Sequence, residues 1–161
     1  MVSFQTKQMI AFVFTCFSFL MFVLAVTSSY VCVGDSAEAC WPLGDEYLEL
    51  LDTKNGSSAW STVYTLHVVI IVAMAVVWIY YPLGRMLGYY DKSYFKIVEF
   101  SLQTLSFLLG IVALVTAVGG YGDEDTTLYT WGFGYYATIL GILCILPAHL
   151  LWIYYYFYVR E

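Results

Sequence analysis

Apolar positions along this chain gather into four long runs, and one extended polar stretch separates the first run from the second. The runs cover residues 9–30, 60–83, 97–120 and 131–158. Each reaches the length of about 20 residues that a helix needs to cross a hydrocarbon core. The pattern predicts an all-α integral membrane protein, a four-transmembrane-helix bundle forming a single domain over residues 1–161. The first outer loop, 31–59, is the longer one, and the second spans 121–130.

Polar and small residues inside the runs are ordered. In the first run Ala11, Thr15, Ser18, Ala25 and Ser29 recur at steps of three, four and seven, which places them on one helix face. Glu99, Gln103, Ser106, Gly110, Ala113 and Ala117 alternate by four and three in the third run. Gly134, Ala137, Gly141, Cys144 and Ala148 do the same in the fourth. Small side chains let helices approach closely in lipid, where apolarity alone gives no reason to associate. The third and fourth stripes are therefore expected to meet, with Gly110, Ala113, Gly134, Ala137 and Gly141 carrying the packing. Pro82 and Gly84 end the second run, and Pro147 loosens the fourth by removing a backbone donor. Trp60, Trp78, Tyr80, Tyr81 and the aromatic run at 152–158 suit membrane interfaces.

Composition agrees with the pattern. Only 11% of residues are charged and 61% are hydrophobic, too greasy a balance to clothe a water-facing surface. The first run is read as a membrane segment rather than a cleaved signal peptide. A net charge of −6 argues against nucleic acid as a partner. If four helices cross, Lys7, Arg85, Lys92, Lys96 and Arg160 share one side, and only Lys54 lies on the other, among acidic residues. The positive-inside rule then makes the N and C termini cytoplasmic. The plasma membrane is favoured, with an organelle membrane as the alternative.

The outer loop holds Cys32 and Cys40, which are expected to form a disulfide because non-cytoplasmic compartments permit one. The stretch 45–52 has a helical period placing Tyr47, Leu48 and Leu51 together, while Asn55-Gly56 is a turn signal. A short helix and a hairpin both remain open there. Asn55-Gly56-Ser57 is also a glycosylation sequon, although it lies close to the membrane. Cys16 and Cys144 read as small packing residues.

Intramembrane polar residues are His67, Glu99, Gln103 and His149. Such residues are functional hypotheses by default, yet interhelical hydrogen bonding is the commoner use. Counting about 1.5 Å per residue, Gln103 and His149 lie at matching depth and are expected to meet, with Glu99 one turn below. No catalytic set, phosphate loop, metal-ligand spacing or cofactor signature is present, so no cofactor is expected.

The layout is similar to the claudin-like tetraspan superfamily: four helices, a longer first outer loop with two cysteines and a short second one. That group includes claudins, peripheral myelin proteins, channel and receptor auxiliary subunits and amastins. Tyr129-Thr130-Trp131-Gly132-Phe133-Gly134-Tyr135-Tyr136-Ala137 looks like the Gly/aromatic start of its last helix. Residues depart from its signatures. Tyr30-Val31 stands before Cys32 where claudins carry Gly-Leu-Trp, Trp41 follows Cys40, and the Trp-Gly that amastins place between the cysteines is missing. The group's outer β-sheet does not follow from these residues. MARVEL-type tetraspans share the topology. The resemblance implies a non-catalytic structural or accessory protein, assembling laterally with itself or with other membrane proteins, in contact with membrane lipids. Two alternatives stand beside it: a supernumerary subunit of an energy-transducing complex, and a small transporter or enzyme using Glu99 and His149.

Overall fold

The computed structural model describes residues 4–33, 39–46, 48, 52, 58–89, 93–122 and 129–158. In chain order these form α1 (Phe4–Thr27), β1 (Ser29–Val33), β2 (Ala39–Pro42), α2 (Ala59–Met86), α3 (Ser93–Gly122), β3 (Tyr129–Trp131) and α4 (Phe133–Tyr158). All four helices are long and apolar enough to cross a membrane. Between 28% and 39% of each span is buried inside the bundle, so most of the apolar surface faces outward. The backbone of such a span must satisfy its own polar groups, and a continuous helix does so.

The helices form two close pairs. α1 packs most extensively against α4, and α2 against α3, while the α1–α2 and α3–α4 seams are thinner. α1 and α3 therefore lie diagonally across the axis, as do α2 and α4. This corrects the expected partner of the fourth stripe. Gly134, Ala137, Gly141 and Ala148 are buried as expected. The nearest surroundings of Gly134 and Gly141, however, belong to the α1–β1 segment. A Cβ on Gly134 would stand 2.6 Å from the Ala25 carbonyl oxygen, and one on Gly141 3.1 Å from the Phe22 ring. Gly110 on α3 reaches toward both Ile142 and Phe22. The large ring of Phe22 fills the notch that the two glycines leave, which is why α1, rather than α3, takes the face of α4.

The chain leaves the α1 helix earlier than the apolar run suggests. The Thr27 hydroxyl donates to the Val23 carbonyl oxygen, and Ser28 bonds back to that of Leu24. Beyond them Ser29–Val33, rich in β-branched and aromatic residues, is extended. β1 is the centre of an antiparallel three-stranded sheet ordered β2-β1-β3. Tyr30 and Trp131, which the apolar runs assign to helix ends, are strand residues. Gly132 separates β3 from α4: its N–H donates to the Tyr30 carbonyl at 2.9 Å, and a Cβ there would collide with the Ser29 carbonyl.

Of the stretch 45–52, the described residues Glu46, Leu48 and Asp52 are helical. Tyr47, Leu51 and the sequon residue Asn55 lie outside the described residues. Asp52 caps α2, its carboxylate accepting the Trp60 N–H at 3.1 Å and the Ser61 N–H at 2.9 Å. Negative charge at a helix N-terminus also complements the helix dipole.

Candidate functional site

Apolar and polar layers alternate along the bundle axis. At the end covered by the sheet, Tyr30, Val31, Leu43, Leu48, Trp60, Val63 and Ala117 form one apolar cluster. Trp131 stacks on Tyr135 beside it, with ring centroids 4.0 Å apart. The Cys32–Cys40 disulfide is formed, S–S 2.03 Å, and joins directly paired residues of β1 and β2. Replacing both cysteines by serine is expected to lower stability by about 2–3 kcal/mol on chain-entropy arguments. Thermal unfolding with and without reductant checks this, since reductant should reproduce the loss in the parent and change nothing in the variant.

Just below the sheet, His67 on α2 meets Thr138 on α4 across the bundle. Nδ1 lies 2.8 Å from the Val63 carbonyl, which only accepts, so Nδ1 carries a proton and donates. Nε2 lies 2.8 Å from Thr138 Oγ1. In the neutral ring Nε2 is the acceptor, and the Thr138 hydroxyl supplies the proton. The same hydroxyl lies 3.1 Å from the Gly134 carbonyl and has only one proton to give. A charged ring would still donate to Val63 but would reverse the bond between Nε2 and Thr138, releasing the Thr138 proton to Gly134. Tyr30 stacks edge-on against His67 at 5.7 Å. Burial pushes its phenol upward from the usual value.

Phe22, fully buried, forms the middle layer with Ile70, Met74, Ile142 and Ile145. Beneath it lies a second polar layer. Gln103 Nε2 on α3 donates to Thr15 Oγ1 on α1 at 3.2 Å and to Glu99 Oε1 at 3.3 Å. Thr15 passes its own proton to the Ala11 carbonyl at 3.0 Å. Glu99 is 2% exposed and Gln103 and Ser106 are 0% exposed, so the third stripe faces the axis along its length. The Ser18 hydroxyl donates to the Gly141 carbonyl at 2.7 Å, joining α1 to α4.

The expected meeting of Gln103 with His149 does not occur. Gln103 reaches diagonally to α1 instead, and its Oε1 has no partner. His149 is held by ring stacking, 4.6 Å from Phe100 and 6.3 Å from Phe107. Residue counts give depth along a helix but not rotation about its axis. His149 lies one residue past the buried Ala148, on the side of that face where the α3 phenylalanines pack.

The two diagonal hydrogen bonds, Thr15–Gln103 and His67–Thr138, tie the α1–α4 pair to the α2–α3 pair. Thr138, Phe22, Gln8 and Asp52 join these layers without having been singled out by sequence pattern. Thr138 sits beside the small Ala137 in the inward stripe, a usable signal; Phe22 looks like any other lipid-facing aromatic. Thr138→Val is expected to cost about 0.6–2 kcal/mol, the worth of one interhelical hydrogen bond in a membrane. Reversible unfolding in bicelles measures it. Among the described residues no cluster of three His, Cys, Asp or Glu could hold a metal ion. Compared with protein-family models and with curated proteins, the chain matches none.

Proposed function

We propose that this protein is a non-catalytic tetraspan that works as a structural or accessory subunit through lateral contacts in the membrane. The observation that carries the reading is the inward turn of the spans' buried polar groups. Thr15, Ser18, His67, Gln103 and Thr138 all bond within the bundle. Outward hydroxyls such as Thr65 and Thr104 bond their own helix backbone. What remains outside is an apolar surface broken by a groove of about 480 Å³, lined by Phe12, Trp78, Ile79, Pro82, Leu83 and Met86. Such a surface interacts with lipid tails or with other spans. The small-residue stripes are used within the bundle, so partner contacts fall on the large side chains outside it.

A claudin-like affiliation belongs to the same proposal. A sheet pinned by a loop disulfide supports it, because that group carries an outer β-sheet, which the residues here did not lead one to expect. With the basic residues on the opposite side, this reading puts the sheet outside the cell and both termini in the cytoplasm. Tags at either terminus are then protected in sealed cells, while protease reaches the first outer loop, 31–59. Exposure of the tags with protection of the loop refutes the orientation.

A further inference from the structure

Below Phe22 the axis carries more polar atoms than the bundle satisfies. Gln8, 7% exposed, has neither its Oε1 nor its Nε2 bonded, and Gln103 Oε1 and Ser106 Oγ are likewise without partners. All belong to side chains more than nine-tenths buried. Gln103 meets Thr15, and from that level Gln8 lies seven residues, about 10 Å, toward the end where α1 begins, while Glu99 lies about 6 Å toward the same end and Ser106 about 4.5 Å the other way. Leaving such groups dry costs about 1–3 kcal/mol each. Something polar and small at the site would relieve that cost.

The orientation of Gln103 decides what. Its Nε2 faces two acceptors, the Glu99 carboxyl and the Thr15 hydroxyl, whose own proton is already given to Ala11. The amide thus presents N–H groups toward the carboxyl, where a metal cation would need oxygens. Water fits instead. Ser106 lies three residues beyond Gln103, so an acceptor and a donor are neighbours on one helix face, a spacing one bridging water can close. Gln8 continues the polar line toward the end where α1 begins.

We propose that this half of the axis holds water entering at the terminal end of the bundle, and that Glu99 is a reversible proton-binding site served by that water. A proton passes from a hydrated donor in the column to a carboxylate oxygen of Glu99. One O–H bond forms, one breaks in the donor, and the carboxylate charge is neutralised. Phe22, seated between Gly110 and Gly141, closes the column below the His67 layer, so the site opens to one side only. Among the described residues, the charged and titratable side chains placed at this end include Lys96 and Tyr94 on α3, Cys16 on α1, Tyr80, Tyr81 and Arg85 on α2, and His149 on α4. Because Gln103 bonds both Glu99 and Thr15, the protonation state of Glu99 sets the strength of one tie between the two helix pairs.

Infrared difference spectra of the full chain in lipid bilayers, parent minus Glu99→Gln, test this. Glu99→Gln keeps the side-chain size, and circular dichroism verifies its helices. The expected spectrum shows a carboxylic acid carbonyl band at low pH that gives way to carboxylate bands at high pH and shifts within minutes in heavy water. The double variant Gln8→Leu/Ser106→Ala leaves Glu99 in place and should slow that exchange severalfold. A missing acid band at every pH where the fold persists overturns the proposal. So does a band that fails to exchange, or one whose exchange the double variant leaves unchanged.

Discussion

Replacing Gly134 by leucine is expected to break the docking of α4 on α1 and to cost about 3 kcal/mol or more, the upper range for overpacking. The size of the effect follows from what stands in the way. A Cβ at this position would lie 2.6 Å from the Ala25 carbonyl oxygen and 3.2 Å from that of Ser28. Both are backbone atoms at the end of α1 and cannot turn aside as a side chain does. Relief requires moving the α1–β1 corner, which also carries the Tyr30 carbonyl that accepts from Gly132. Gln103→Leu, which removes two long hydrogen bonds and little packing volume, should cost less. Gly141→Leu and Gly110→Leu fall between, since their obstacles are the side chains of Phe22 and Ile142. Denaturation by added detergent, read from helix content in bicelles, ranks the four variants. If Gln103→Leu proves the most harmful, packing is not what assembles the bundle.

Phe22→Ala is the second large effect. In water-soluble cores a Phe→Ala change costs about 3–5 kcal/mol, of which about 1.5–3 is transfer from water. That part is absent when the unfolded reference already sits in lipid. About 2 kcal/mol should remain, because the atoms lining the new cavity no longer have the ring to attract by dispersion. The sign of the partner change is diagnostic. A leucine at Gly141 crowds the ring in the parent but fills the void in Phe22→Ala, so the double variant Phe22→Ala/Gly141→Leu should be more stable than addition of the two single changes predicts. A double-mutant cycle measures that coupling. Strict additivity would mean that ring and glycine do not share a notch.

The membrane architecture is legible in the sequence because period and length are written locally. The step pattern Glu99, Gln103, Ser106, Gly110, Ala113, Ala117 marks an inward face without reference to any other helix, and all six positions are buried. Cys32 and Cys40 lie close in sequence and pair across adjacent strands. What is not legible depends on relations between helices. The match of Phe22 to Gly110 and Gly141, each on a distant helix, leaves no periodic trace in the first run. Neither does the rotation that turns Gln103 toward Thr15 instead of His149. Tyr30 and Trp131 mislead for a different reason. Both adjoin uninterrupted apolar sequence, and pairing with segments distant in the chain, helped by the close backbone approach that Gly132 allows, makes them strands.

The central claim is that the protein acts through its apolar exterior on other membrane chains. Native mass spectrometry of the full chain, extracted from its own membrane within a lipid-retaining polymer, tests this most directly. The account predicts a defined, stoichiometric complex, either with further copies of this chain or with a second membrane protein. A lone chain carrying lipid only, recovered at every level of expression, would contradict it.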